Sequence, residues 1–343
     1  MTRLMDGLPE IIGKAWWPNQ STRLGATFFV RRAFPWLGRY LGDKPLVSTL
    51  SPRIEGVVSW GGRIPAKTAM AIAGARRLPH WHLEDGFLRS VGLGKDGAAP
   101  VSIIADDLAL PVDGGRASRL ELLIAEAAGG GHDAAGKQIR ERMVRHRLSK
   151  YNNLPHRQPQ IERGRSRRIL LVDQVLGDVS VERALGSRRS FDRMLDEALA
   201  SGAQCIVRTH PDVMAGYRKG YMTERAARTR GVILLADKVS VASILDVVDE
   251  VWTVSSQMGF DALLRGMPVR SYAVPFYAGW GLTDDRAGPA AQAALARRAA
   301  RPSIEALTAA ALALYPSYRN PATWQPMDVF GAIDLLVAAI ERS

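Results

Sequence analysis

Residues 250–283 read EVWTVSSQMGFDALLRGMPVRSYAVPFYAGWGLT. EVWTV is a short apolar run. SQMGFDALLRG then has helical apolar spacing with a glycine stop, and PVRSYA is a second short apolar run. Strand, helix and strand in that order predict a crossover between parallel strands. The same alternation extends backwards. RILLVDQ (168–174), AQCIVRTH (203–210) and GVILLAD (231–237) read as strands, and SFDRMLDEALASG (190–202) and VASILDVVD (241–249) as helices. A parallel sheet with helices on both faces is therefore expected in the second half.

The first half is mixed. GVVSWG (56–61), HWHLED (80–85) and VSIIADD (101–107) read as strands, and IPAKTAMAIAGARR (64–77) and RLELLIAEAA (119–128) as helices. KQIRERMVRHRLSKY (137–151) reads as an exposed basic helix, and PHRQPQIERGRSRR (155–168) as a polar, proline-containing linker. The expected division is residues 1–160, residues 161–320, and a C-terminal helix within 321–343 that packs back on the first domain.

The chain has 343 residues, room enough for two domains, with 47% hydrophobic and 23% charged residues. No apolar run is long enough to span a bilayer, and the first residues lack the order of a secretory signal. Cys205 is the only cysteine, which excludes an internal disulfide and fits a reducing cytoplasm. The net charge of +12 favours anionic partners. The bases are scattered, with no basic arm and no zinc-finger spacing, so nucleic acid is set aside.

In open parallel sheets ligands bind at the carboxyl ends of the strands. The residues there are Asp173, Gln174, Asp178 and Ser180, then His210 and Pro211, then Ser255, Ser256 and Gln257. Ser255 and Ser256 stand where a strand hands over to a helix, a place suited to a phosphate and equally to a plain N-cap. Asp178 suits a nucleophile or base at the sheet mouth, or a helix cap. LEDG (83–86) ends a strand with Glu84 and Asp85, one of which would face a cleft. Gly92, Gly94 and Gly97 spell G-x-G-x-x-G, but the β-like run that follows lacks the helix a dinucleotide site needs. The pairs Asp106–Asp107 and Asp284–Asp285 have no metal-site spacing.

Taken together, WGGR (60–63), LEDGFLRSVGLG (83–94), DQVLGDVSV (173–181), HPDVMAGYRKGY (210–221) and VSSQMGFDALLRGMPV…PFYAGWGLT (254–283) resemble the retaining β-Kdo glycosyltransferases of bacterial capsule polysaccharide biosynthesis, the KpsC-like family. The resemblance implies an α/β GT-B fold, two Rossmann-like domains facing across a cleft. It implies a donor, CMP-β-Kdo, held without a metal by the C-terminal domain, with His210, Ser255 and Ser256 at the phosphate. It implies a Kdo-terminated glycolipid or oligosaccharide acceptor, with capsule assembly proteins as partners, and room here for one transferase module. Asp261 stands where the family pattern expects glutamate.

Retention implies two inversions through a glycosyl-enzyme. Asp178 is the first choice of nucleophile and Asp173 the second, with Glu84 or Asp85 as the base. Gln257 and the loop Tyr277–Trp280 are candidates for shaping the sugar pocket, or for loop packing alone. A transferase for another CMP-activated nonulosonic acid, or a non-catalytic capsule assembly or export component, are the competing readings. The aromatics and arginines of residues 16–42 suggest a peripheral contact with the anionic inner membrane, or packing on the first domain.

Overall fold

In the computed structural model of the chain, residues 15–62, 64–94, 97–161, 167–209, 211–214 and 216–342 are described. The first domain begins with elements that periodicity did not show. β1 (Leu24–Ala26) runs into the short helix α1 (Phe28–Ala33), and α2 (Leu37–Tyr40) leads to β2 (Val47–Ser48). β3 (Gly56–Trp60), α3 (Ile64–Arg76), β4 (His80–Asp85) and β5 (Ser102–Asp106) then follow the sequence reading closely. β2, β1, β3 and β4 are parallel neighbours, and β5 is antiparallel to β4. Trp17, Phe34, Trp36 and Trp60 pack on the core formed by Leu24, Val30, Val58 and Leu83, so much of the aromatic content of residues 16–42 is structural.

α4 (Arg119–Ala127) and α5 (Asp133–Arg145) close this domain. The expectation of an exposed basic helix over 137–151 needs correction. α5 starts earlier, ends at Arg145, and buries Gly136, Ile139 and Met143. Arg147 then takes a left-handed backbone (φ 56°), which turns the chain back so that Tyr151 bridges to Ser90. That turn carries Lys150 and Tyr151 to the edge of the interdomain cleft.

The second domain is built on β6 (Arg168–Val172), whose Ile169, Leu170, Leu171 and Val172 are all buried. Such an unbroken apolar run fits a strand covered on both faces. α6 (Val179–Arg183) and α7 (Arg188–Ala200) precede β7 (Gln204–Arg208), and α8 (Pro211–Met214) and α9 (Thr223–Arg228) precede β8 (Val232–Leu235). α10 (Val241–Leu245), β9 (Glu250–Thr253), α11 (Met258–Leu264), β10 (Val269–Ser271) and β11 (Asp284–Asp285) complete a wholly parallel sheet. Its order is β11-β10-β9-β6-β7-β8. α7 covers one face with Phe191, Met194, Leu195 and Ala198.

After α12 (Gln292–Arg297) and α13 (Ile304–Ala309) the chain returns to the first sheet. There β12 (Ser317–Arg319) pairs antiparallel with β5, and β13 (Pro326–Met327) with β12. The return thus falls ahead of the 320/321 boundary read from the sequence. The last helix, α14 (Val329–Glu341), contacts α5, β12 and β13. One hydrophobic cluster runs from Phe87, Ile104 and Ile124 through Val172, Val251 and Phe260 to Ile333, so the two sheets share a core.

A buried ionic knot ties the domains together. Glu121 of α4 accepts from Arg297 (2.5 Å) and Arg298 (3.0 Å), and the Arg298 side chain is only 2% exposed. Arg298 also donates to the carbonyls of Pro275 (2.6 Å) and Ala278 (2.7 Å), which fixes the aromatic loop 275–280. Removing one partner of a buried pair leaves an uncompensated charge, so Glu121→Gln is expected to lower stability by about 3 kcal/mol. The check is the urea midpoint of the variant against that of the native chain.

Candidate active site

The carboxyl ends of the two sets of parallel strands face one cleft of about 1200 Å³. It is lined by Trp60, Glu84, Asp85, Arg89 and Lys150 from the first domain. From the second come Asp173, Gln174, Asp178, Ser180, Ser255, Ser256 and Gln257. The residues read from sequence at separate strand ends are therefore brought to one place. His210 lies outside the described residues; Pro211 opens α8, and its side chain is likewise not described.

Gln174, two residues past the end of β6, is the hub of the second-domain wall. Its amide nitrogen lies 3.2 Å from Asp178 Oδ2, 3.2 Å from Ser180 Oγ and 3.1 Å from Ser255 Oγ. Its amide oxygen accepts from the Ser255 backbone N–H at 3.1 Å. One side chain thus links the loop after β6 to the loop after β9. Asp178 is the N-cap of α6, and its Oδ1 accepts the Ser180 N–H at 2.9 Å. Both its oxygens are oriented by hydrogen bonds, yet the side chain still borders open cleft. Capping and a chemical role are compatible here, because the cap occupies only part of the carboxylate's accepting capacity.

Asp173, the second-choice nucleophile, is committed elsewhere. Its Oδ1 accepts from the N–H groups of Gln174 (2.9 Å), Tyr221 (3.0 Å) and Met222 (3.1 Å). Its Oδ2 accepts from the Thr223 N–H (3.0 Å) and from the Thr223 hydroxyl. Five donors on one buried carboxylate leave little electron density for attack on a sugar. Burial pushes this carboxyl up, with the Thr223 and backbone hydrogen bonds pulling it back down.

Ser256 serves the backbone: its hydroxyl accepts from Met258 N, its N–H donates to Thr253 Oγ1, and its carbonyl accepts from Tyr277 Oη. Gln257 spends its amide across the domain interface, donating to the Phe87 carbonyl at 2.8 Å. The aromatic loop is largely packing. Tyr277 and Trp280 are buried, and Trp280 Nε1 donates to the Phe276 carbonyl. Phe276 and Tyr277 still present a face to the cleft. Gly259 must be glycine, because a Cβ there would stand 2.7 Å from Tyr277 Cζ.

Across the cleft the two acids of β4 differ. Asp85 is ion-paired with Arg89 at 2.8 Å. Glu84 accepts the Asp85 N–H at 3.1 Å, and burial raises its carboxyl above the ordinary glutamate range, against the pull of Lys150. A carboxylate whose proton affinity is raised is a better base than a solvated one.

Arg208, Lys150 and Lys238 also line the cleft, and the sequence reading did not single them out. Arg208 has a local signal, a base ending the apolar run CIVR. Lys150 was hidden inside a stretch read as helix. Asp261 lines the cleft from α11 and is 4% exposed.

Two Rossmann-like domains that close on one cleft define a GT-B protein. The family model described as capsule polysaccharide biosynthesis protein matches residues 55–160 and 155–318, and the chain belongs to that family. It is 38% identical over 314 residues to the capsule polysaccharide modification protein LipA of Neisseria meningitidis serogroup A, covering 87% of this chain and 44% of LipA. It is 37% identical over 273 residues to the lipopolysaccharide-processing protein LpsZ of Rhizobium meliloti, covering 77% of this chain and 60% of LpsZ. The chain spans about half the length of these curated relatives. Among solved structures, the β-Kdo 2,4 transferase of Thermosulfurimonas dismutans KpsC matches with a TM-score of 0.81 and 34% identity, covering 92% of this chain and 98% of that one. The β-Kdo 2,7 transferase of that KpsC shares the fold, with a TM-score of 0.65 and 22% identity over 92% of this chain and 98% of that one.

Burial pushes the Asp261 carboxyl up to about 7, with Arg265 and Lys150 opposing the shift. An acid whose folded pKa exceeds its unfolded value favours the fold below the unfolded pKa and loses that contribution as pH rises to the folded one. Asp261→Asn, which cannot ionise, should therefore be more stable than the native chain at pH 7.5, by up to roughly 3 kcal/mol. The difference should vanish near pH 4, as read by thermal melts across that range.

Proposed function

We propose that this chain transfers Kdo from CMP-β-Kdo to a Kdo-containing, lipid-linked or oligosaccharide acceptor, with retention, giving a β-Kdo linkage. The observation that carries the reading is the pairing across one cleft of an oriented carboxylate, Asp178, with a half-buried carboxyl of raised proton affinity, Glu84. The likeness to the 2,4 transferase at 34% identity supports Kdo as the sugar and favours attachment at O4 of an acceptor Kdo.

In this reading the phosphate of CMP lies against Ser255 and the positive charge of Arg208. Asp178 attacks the anomeric carbon, and the bond to the phosphate oxygen breaks with its electron pair leaving on CMP. The glycosyl ester has the inverted configuration. Glu84 then takes the proton of the acceptor hydroxyl, whose oxygen attacks the same carbon and displaces Asp178. The second inversion restores the starting configuration. CMP departs as a phosphate monoester and needs little acid assistance, and cationic and N–H groups can meet its charge without a metal in this scheme.

The test is Asp178→Asn. Asparagine caps helices as well as aspartate does, so the variant should fold and bind CMP normally. Its transfer rate should fall at least about a thousandfold. Near-normal turnover of the variant, or an inverted product from the native chain, would refute the mechanism. Glu84→Gln should slow transfer to acceptor while an adduct at Asp178 still forms, seen by intact-protein mass spectrometry.

A further inference from the structure

β4, β3, β1 and β2 are successive parallel neighbours, so their carboxyl ends form one edge of the first sheet. The character of that edge changes along its length. At β4 it carries Glu84 and Asp85 in the cleft, and at β3 it carries Trp60, still lining the cleft. At β1 the chain runs into α1, where Ala33 and the following Phe34 line the cleft mouth while Phe28 and Phe29 stand 71% and 57% exposed. Beyond β2 comes Leu50, 79% exposed, and α3 opens after β3 with Ile64, 77% exposed. These are four of the five most exposed large apolar side chains among the described residues, and all four follow three adjacent strands at one edge.

Each apolar tip is followed three or four residues on by an exposed base: Phe28 by Arg32, Leu50 by Arg53, and Ile64 by Lys67. The salt bridges among the described residues involve none of these three bases. The tips also have a firm base, since Phe34 stacks on Trp60 with ring centroids 4.3 Å apart and Trp36 meets Trp60 edge-on. Exposed apolar side chains gathered with exposed bases on one edge form the kind of surface that marks an interaction site. A plane with apolar depth and negative charge at its rim matches that arrangement on both counts.

We propose that this edge docks on an anionic lipid bilayer, with Phe28, Phe29, Leu50 and Ile64 entering the headgroup region and Arg32, Arg53 and Lys67 meeting lipid phosphates. Docked in this way, the mouth of the cleft at Ala33 and Phe34 lies beside the membrane plane. A lipid-anchored acceptor would reach Glu84 along the same edge without leaving the bilayer. The docking itself is independent of the transfer chemistry and can be measured without donor or acceptor.

The experiment is co-flotation of the full chain with phosphatidylcholine vesicles, with and without roughly a third phosphatidylglycerol. The native chain should float only with the anionic vesicles, and binding should weaken as salt is raised. Phe28→Ser with Phe29→Ser, and separately Arg32→Glu with Arg53→Glu and Lys67→Glu, should each reduce the vesicle-bound fraction, the charge reversal by about a hundredfold in partition. Near-UV circular dichroism and sedimentation run on the same samples. Variants that keep the native spectrum and mass but lose flotation support the proposal. A native chain that stays with the unbound fraction, or folded variants that float as well as the native chain, overturns it. A self-associating native chain whose Phe28→Ser, Phe29→Ser variant becomes monomeric while flotation is unchanged would assign the edge to a second copy of the chain and also overturn it.

Discussion

A single buried carboxylate organises the second domain. Asp173 directly follows the inner strand β6 and gathers the N–H groups of residues 221–223 together with that of Gln174. The turn can approach because residue 220 is glycine: a Cβ there would stand 3.1 Å from Asp173 Cγ. Were the turn to loosen, Gln174 would lose its fixed backbone and with it the amide that reaches Asp178, Ser180 and Ser255. A group that looks catalytic by residue type thus acts one step back, holding the residues that face the cleft.

The relation between the domains is fixed by contacts of two kinds. The shared hydrophobic cluster supplies non-directional stability. Directional contacts then set how the walls face each other: Glu121 with Arg297 and Arg298, Gln257 with the Phe87 carbonyl, and Arg183 with the Gly62 carbonyl. The Gln257–Phe87 contact crosses at the cleft itself. A shift of one domain would break a hydrogen bond at the cleft that Glu84 and Asp178 both line. Burial at this junction also perturbs the acids, because Glu84 and Asp261 lose water without gaining a full counter-charge.

Much of the parallel sheet was legible because its strands are continuous apolar runs separated by amphipathic helices, as in RILLV followed by the Phe191–Ala198 face of α7. β1 and β2 were not legible. Three residues LGA and two residues VS are too short to carry a period, and only the pairing of β1 with β3 and of β2 with β1 makes them strands. The basic stretch 137–151 misled for a related reason. Its charges are many, but Ile139 and Met143, with Gly136 just before it, form a narrow buried stripe that is explained by the packing of α13, α14 and α11 against α5. Lys150 and Tyr151 reach the cleft through a left-handed turn at Arg147, a residue type that gives no hint of one.

The sequence by itself determined the fold class, the order of strands and helices in the second half, and the set of polar residues that follow each strand. Those are local properties, encoded in apolar period, glycine stops and residue type. Tertiary structure alone decided which of those residues share a wall and what each is free to do. Asp173 and Asp178 are aspartates in one loop and both line the cleft, yet one is saturated by five donors and the other keeps spare accepting capacity, because the turn at 220–223 packs against only the first. Glu84 and Asp85 are adjacent, yet Arg89 neutralises one while burial raises the other. Reactivity depends on desolvation and on partners distant in the chain, and neither exists until the two sheets meet.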